Sequence, residues 1–321
     1  MHFAIIGAGM AGLACADQLQ SSGHRVSLFD KARGPGGRMS TRRVQTDAGE
    51  ATFDHGAQYF TARDPAFRAR VADWSARGIL APWPLAGDDA WVGTPGMNAV
   101  VRDMASLKSV DFGWHAHGLQ RDGRQWRVSR EGETVGPFDG VILAIPSEQA
   151  LPLLALHDFA MAREAMSAHS QPCWTAMFAF HQRLPTNRGI IRDAGPVAWA
   201  ARNSDKPGRS GPETWVVQAA PEWSARFLEA EAADITGRLR AELSLALRQD
   251  LPEPCYAMAH RWRFARAVGL QMEALWNPAI GLGACGDWLI GPRVECAWLS
   301  GISLGRRIVQ SVFAPIYSDM S

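Results

Sequence analysis

The sequence predicts an α/β fold in two interleaved parts, one built on a parallel βαβ unit and one an α+β part with a mostly antiparallel sheet. Two observations predict it. Residues 3–6 and 25–29 are short apolar runs separated by a helical stretch that places Ala11, Cys15 and Leu19 on one face. Between residues 173 and 220, the segments "CWTAMFAFHQ", "PVAWAARN" and "TWVVQAA" alternate as half-buried antiparallel strands do.

The other elements follow in order. After the βαβ unit comes a loop rich in Gly, Pro and Arg at 32–43 and a mixed region at 53–95. "VGPFDGVILAIP", residues 135–146, reads as one buried strand stopped by Pro146. Beyond residue 220 a long helix carries Trp223, Phe227, Ile235, Leu239, Leu243 and Leu247, at spacings dominated by four, so one stripe faces a core. A strand at 255–264 leads back to a buried strand ending at Gly286 and Asp287. A last helix then starts near Val294, with Ala297, Trp298, Gly301, Leu304, Gly305 and Ile308 on one stripe. No internal repeat or low-complexity linker separates the parts. The expected division is a nucleotide-binding domain at 1–60, 92–150 and 265–321 and a substrate domain at 61–91 and 151–264.

Composition narrows the class. The 321 residues are 47% hydrophobic and 20% charged with a formal net charge of +1, so no charge excess points to nucleic acid or an anionic membrane. A first strand beginning by Phe3 leaves no room for a charged and apolar leader, and no apolar run approaches 18 residues, so a cytoplasmic protein is expected. The five cysteines lack CxxC spacing, and His115 and His117 have no third ligand near them in sequence; neither a disulfide framework nor a metal site is expected.

Gly7, Gly9 and Gly12 form GxGxxG between a strand and a helix. This pattern permits a tight turn, a close backbone approach to a pyrophosphate and close helix packing, with N–H donors and a favourable dipole at the helix start. Asp30 ends the second strand 18 residues after Gly12, where a carboxylate binds the ribose hydroxyls of an adenosine and repels a 2′-phosphate. Two further devices favour FAD over NAD in this slot. "KARGPGGRMST" supplies Gly37 for close backbone approach and Arg38 as a fork of donors to phosphate. Asp287 suits a polyol hydroxyl, and the helix starting near Val294 would put partial positive charge at the carbonyl end of a flavin ring.

The blocks "GAGMAG", "GPGGRMSTRR" and "CGDWLIGPRVECAWLSG" resemble the flavin-containing amine oxidase superfamily, with its p-hydroxybenzoate-hydroxylase fold and Rossmann-like FAD-binding domain. "FDHGAQYFTAR", "WVGTPGM" and "AHRWRFAR" are more similar to its renalase branch in bacterial form. The resemblance implies that Ala11, Asp30, Lys31, Arg38, Met39, Gln58, Tyr59 and Asp287 contact FAD, that Val294 starts the flavin-facing helix, and that Ala116 offers backbone groups to the adenine. A plain strand residue is the other reading of Ala116.

Amine oxidases commonly place a lysine over flavin N5. Here Lys31 belongs with the adenosine end, Lys108 falls in a polar, surface-like segment and Lys206 lies in "NSDKPGRSG", a mobile-looking turn. No cysteine motif for covalent flavin attachment is present, so FAD is expected to be noncovalent. Oxidising a dihydronicotinamide releases a hydride and leaves an aromatic pyridinium, so no side chain need act as a base, whereas amine oxidation needs a neutral amine. The resemblance implies an oxidase of NAD(P)H isomers reduced at ring position 2 or 6, which restores NAD(P)⁺ and passes electrons to O₂ as H₂O₂. The protein's task would then be positioning, with no catalytic side chain.

Tyr59, Phe60, Thr61, Trp91 and Trp199 are the pocket candidates, although 13 tryptophans in one chain mean that most are core. His260, Trp262 and Phe264 share one face of a strand and Arg261 and Arg263 the other. His260 and Trp262 could border the flavin or be structural, and the arginines read as a solvated face. His55 and Asp54 point to opposite faces, which leaves Asp54 to cap or orient its loop. An amine oxidase or desaturase, and a noncatalytic flavin- or NAD(P)-binding protein, are the competing readings.

Overall fold

The computed structural model describes residues 1–313, and their fold is α/β as expected. Cα proximity divides the chain into two compact units, Met1–Pro35, Met104–His169 and Val268–Ser321 in the first and Gly36–Asp103 and Ser170–Ala267 in the second.

In the first unit a six-stranded sheet runs in the order Leu275–Asn277, Leu282–Ala284, Gly140–Leu143, His2–Ile6, Arg25–Asp30, Val110–Phe112. All neighbours are parallel except the edge strand Leu275–Asn277. Parallel strands are covered on both faces, so they read as continuous apolar runs; Phe3, Ala4 and Ile5 are fully buried. The helix Met10–Ser21 buries Ala11, Cys15 and Leu19, and the last helix, Val294–Phe313, lies against it. A Cβ on Gly301 would stand 2.1 Å from the Ala11 carbonyl oxygen, so only glycine allows this approach.

The segment 135–146 is two strands, not one: Glu133–Phe138 joins a three-stranded antiparallel sheet, and Gly140–Leu143 enters the six-stranded sheet. The break comes at Asp139, whose N–H bonds to the His2 carbonyl while its carboxylate accepts the His2 N–H. The backbone and the side chain of Asp139 are thereby both committed to His2 on the six-stranded sheet.

The second unit centres on an antiparallel sheet in the order Ile190–Ala194, Val197–Arg202, Glu213–Ala219, Ser170–Phe180, Tyr256–Ala267. Its strands bury both faces by alternation. Phe178, Phe180, Trp215 and Val217 pack with Ile235, Leu239, Leu243 and Leu247 of the helix Ala232–Leu247. On the opposite face Met177, Ala179 and Val216 pack with Ala51 and Phe53 of the hairpin Thr41–Thr46 and Gly49–Asp54. That packing assigns residues 36–60 to the second compact unit, where the sequence reading carried them with the nucleotide-binding part.

The long helix expected from Trp223 onward is broken into Pro221–Arg226 and Ala232–Leu247. At the break two carbonyls accept from side chains of the sheet, Phe227 O from Trp174 Nε1 at 2.9 Å, beside the Ala230 N–H at 3.0 Å, and Leu228 O from Arg261 Nη1 at 2.6 Å. A short helix, Asp287–Ile290, also stands between the strand Leu282–Ala284 and the last helix.

The close approach at Gly301 yields the first prediction. Gly301→Ala forces a methyl group onto the Ala11 carbonyl and should cost about 1–3 kcal/mol. Urea unfolding should show a lower midpoint; an unchanged midpoint would mean the helices separate without penalty.

Candidate functional site

In the first unit the glycine turn and Asp30 form one construction. Gly7 has φ +104°, and a Cβ on Gly12 would lie 1.9 Å from the Gly7 carbonyl oxygen, so the turn sits directly under the helix start. Gly9 is the N-cap and makes no side-chain cap, and a Cβ there would meet nothing within 4 Å. Space therefore lies open over N–H groups at the positive end of a 12-residue helix, as a pyrophosphate requires. The Asp30 carboxylate accepts from Ala8 N–H at 2.8 Å and Ala32 N–H at 2.7 Å. Each oxygen retains a lone pair, so hydroxyl donors can still be received. This chemistry fits the adenosine and pyrophosphate portion of a dinucleotide.

The remaining first-unit candidates are spread around that construction. Ala11 is buried, Lys31 is exposed, and Ala116 lies half-buried in the loop between Val110–Phe112 and Gly118–Asp122, so it is not a strand residue. Asp287 is buried at the start of its short helix, and Val294 is the first residue of the 20-residue last helix. Lys108 does not behave as a surface lysine. Its Nζ pairs with Asp17 Oδ1 at 2.6 Å and its side chain is mostly buried.

The second unit holds an ionic cluster that sequence reasoning missed. Asp54 is fully buried, and its carboxylate accepts from Thr41 Oγ1 at 2.7 Å, Met97 N–H at 2.9 Å, Lys206 Nζ at 3.2 Å and the Arg209 guanidinium. Lys206 is thus no mobile turn residue; it is buried at the end of the turn Asn203–Asp205. Burial pulls its ammonium down to about 8 against the attraction of Asp54. Burial alone would raise the Asp54 carboxyl, but the two cations and the Met97 N–H outweigh it and hold it well below the carboxylate range. Lys206 also donates to Gln58 Oε1 at 3.2 Å, while Gln58 Nε2 donates to the Asp54 carbonyl and, at 3.1 Å, to the Gly56 carbonyl. The Gln58 amide is therefore turned into the protein.

Next to Gln58, Tyr59 is half-buried and meets Trp199 with ring centroids 5.4 Å apart and Trp83 at 6.4 Å. Trp83 and Trp199 are themselves 6.4 Å apart. Lys206 Nζ lies 5.1 Å from the Trp83 ring centroid, and the Arg192 guanidinium 5.1 Å from that of Trp199. Trp83 has no signal in sequence, since "WPLAG" shows no period and Lys206 follows far later.

Phe60 is buried against Phe67, and its backbone exchanges both hydrogen bonds with Trp91, at 3.0 and 2.8 Å. Thr61 is half-buried. Gly37 and Arg38 begin a 3-10 turn whose Met39 is buried, and Arg38 Nη1 donates to Ala265 O at 3.3 Å. His55, His260 and Trp262 form their own group. Trp262 stacks on His55 at 5.3 Å and donates from Nε1 to the His55 carbonyl, and His260 meets both rings edge-on. His55 is buried with Nδ1 unpartnered, and burial, with His260 and Arg42 nearby, lowers its pKa to about 4. Arg261 and Arg263 both pair with Glu229 at the surface.

Among the described residues all five cysteines are free, and Asp47, His181 and Cys255 each bring one donor atom within 4.8 Å of the others. No helix among these residues is long and apolar enough to cross a membrane.

Two family models match the chain. One, described as a NAD(P)-binding Rossmann-like domain, covers residues 5–74; the other, described as flavin containing amine oxidoreductase, covers residues 85–301. A 4,4'-diapophytoene desaturase (4,4'-diaponeurosporene-forming) of Staphylococcus aureus is 45% identical over 56 residues, a stretch spanning 17% of this chain and 10% of that enzyme. Among solved structures, putrescine oxidase bound to putrescine is similar with a TM-score of 0.72 and 15% identity, over 97% of this chain and 99% of that one. Cyclohexylamine oxidase from Brevibacterium oxydans gives 0.70 and 13% over 97% and 99%. At these identities the likeness is one of fold.

Two predictions follow from the buried charges. Asp54→Asn leaves Lys206 and Arg209 buried without their carboxylate and should cost about 3–5 kcal/mol, read as a lower urea midpoint at pH 7. His55 resists protonation when folded, with a pKa near 4 against 6.5 in the unfolded chain, so stability should fall as pH drops from 6.5 toward 4. His55→Phe keeps a ring on Trp262 and should flatten that loss in unfolding midpoints measured across this range; an equally steep loss would place its origin elsewhere.

Proposed function

We propose that this chain, which belongs to the flavin containing amine oxidoreductase family, is an FAD-dependent oxidase of dihydronicotinamide dinucleotides reduced at ring position 2 or 6. It is the activity implied by the resemblance of "FDHGAQYFTAR" to the renalase branch. The overall change is dihydro-NAD(P) plus O₂ and a proton to NAD(P)⁺ plus H₂O₂, a role in metabolite repair. A flavin, which we take to be noncovalent, would supply a two-electron acceptor for the hydride of the substrate ring, with O₂ as the final acceptor.

The chain's own residues would bind and orient. The helix start at Gly9 and the Asp30 carboxylate would take the pyrophosphate and the adenosine ribose, with Asp287 and Val294 serving the flavin end. Arg38 would supply donors to phosphate, and Gln58, with its amide turned inward, would hold the loop that carries Tyr59. Tyr59 and Trp199, both partly exposed, would offer faces on which a nicotinamide ring stacks.

One observation carries the reading. Asp54, five residues before Tyr59, is locked between two cations and far too weak a base to take a proton, and Asp64, five residues after it, caps the helix Pro65–Ala76 by accepting from the Ala66 and Phe67 N–H groups. An aromatic surface whose neighbouring Asp54 carboxylate is held ionised between cations suits a substrate that gives up hydride and needs no proton removed. A second reading, an amine oxidase or desaturase, draws on Lys206, a buried lysine near pKa 8. Its ammonium protons are directed to Asp54 and Gln58, which favours a fixed cation over a free base.

Anaerobic mixing separates these readings. Flavin absorbance should bleach rapidly with 2- or 6-dihydro-NAD and little with ordinary NADH. Bleaching by amines instead would establish the second reading, and bleaching by neither class would leave a noncatalytic flavin-binding protein. Asp30→Ala should retain at least several-fold less FAD through gel filtration, and full retention would refute the role given to that carboxylate.

A further inference from the structure

Oxidation of a dihydronicotinamide changes the charge of the ring from zero to +1, so a surface that senses ring charge distinguishes substrate from product. The second unit contains a surface of this kind. Tyr59, Trp83 and Trp199 form a three-ring set with centroids 5.4 to 6.4 Å apart, too close to admit a ligand between them. A ligand ring must therefore lie against the set from outside, where Tyr59 and Trp199 remain partly exposed.

Two of the three rings already carry a cation. The Arg192 guanidinium lies 5.1 Å from the Trp199 centroid, held by a 2.6 Å bond to the neutral Ala86 carbonyl. Across the antiparallel pairing Arg192 stands directly opposite Trp199, so the sheet register sets this contact. Lys206 Nζ lies 5.1 Å from the Trp83 centroid and is fully buried. Its partner Asp54 is shared with Arg209, so one carboxylate answers two ammonium-type charges and the cluster remains net positive. The indole N–H groups of Trp83 and Trp199 are buried without acceptors. Both indoles thus combine a cation on the π face with an unpaired donor, beside an excess of positive charge.

A π face attracts a cation through its quadrupole, and a cation already bound spends that attraction while adding direct repulsion. We propose that Tyr59, Trp83 and Trp199, backed by Arg192 and Lys206, form a charge-selective surface that accepts a neutral nicotinamide-type ring and disfavours cationic rings and ammonium groups. This deepens the oxidase reading above and rests on it for its biological meaning. A neutral dihydropyridine ring is accepted, the pyridinium product loses its hold when it forms, and alkylammonium substrates are turned away.

Binding by the flavin-loaded protein tests this without turnover. Nicotinamide and 1-methylnicotinamide share a ring and carboxamide and differ by one positive charge. Ligand-observed NMR titration at pH 7 should show nicotinamide bound at least three-fold more tightly than the cation. Trp199→Ala should weaken nicotinamide binding at least three-fold, which locates the site. Arg192→Gln, a change at an exposed position, should tighten 1-methylnicotinamide at least two-fold relative to nicotinamide. A smaller preference in the native protein, nicotinamide binding that survives Trp199→Ala, or a ratio untouched by Arg192→Gln overturns the inference. Bleaching by dihydro-NAD with no ring selectivity would sink only this inference, and ring selectivity without bleaching would sink only the oxidase reading.

Discussion

The second unit is organised around one buried carboxylate. Asp54 joins groups that are distant in sequence: Thr41 on the opposing strand, the Met97 N–H, and the Lys206 and Arg209 side chains. Its own N–H is received by Asn203 Oδ1, whose amide in turn donates to the Thr52 carbonyl. Removing charges from water is expensive, and a buried pair recovers that cost only when its remaining hydrogen bonds are made. Here those of the Asp54 carboxylate are made by backbone and by a short polar side chain, although Arg209 Nε is buried without a partner, so the cluster specifies one arrangement of the hairpin, the turn near residue 97 and the turn Asn203–Asp205. Gln58 hangs from the same lysine, and Tyr59 follows it.

The two units meet the demand for burial in different ways. Parallel strands in the first are apolar throughout, and glycine lets the helices Met10–Ser21 and Val294–Phe313 approach until backbone nearly touches backbone. The second uses alternation, sending Phe178 and Phe180 toward one layer and Met177 and Ala179 toward another. The first solution leaves helix N–H groups and a carboxylate available at the glycine turn. The second leaves a partly exposed aromatic surface supported from behind by charge. Those are different chemical resources, one suited to phosphate and ribose and the other to a flat ring.

Much of this was legible without coordinates. The GxGxxG turn, Asp30, the strands at 173–220 and the stripe of the last helix all rest on short-range patterns, in which a residue's neighbours in sequence are its neighbours in space. Two expectations about regular elements failed where distant groups intervened. The helix beyond residue 221 breaks where Trp174 and Arg261 bind its carbonyls, and the strand at 135–146 divides where Asp139 binds His2. Neither competitor lies in the window that the periodicity reads.

The sequence by itself determined the α/β class, the nucleotide-type turn with its acid and the membership of a flavin-dependent family, because each is written in contiguous motifs. Only tertiary structure decided the state of the charged side chains. "NSDKPGRSG" is polar and rich in turn formers, yet its lysine and arginine are buried, since their carboxylate comes from residue 54. Whether a charge can leave water depends on what it meets there, and that partner is supplied by the fold.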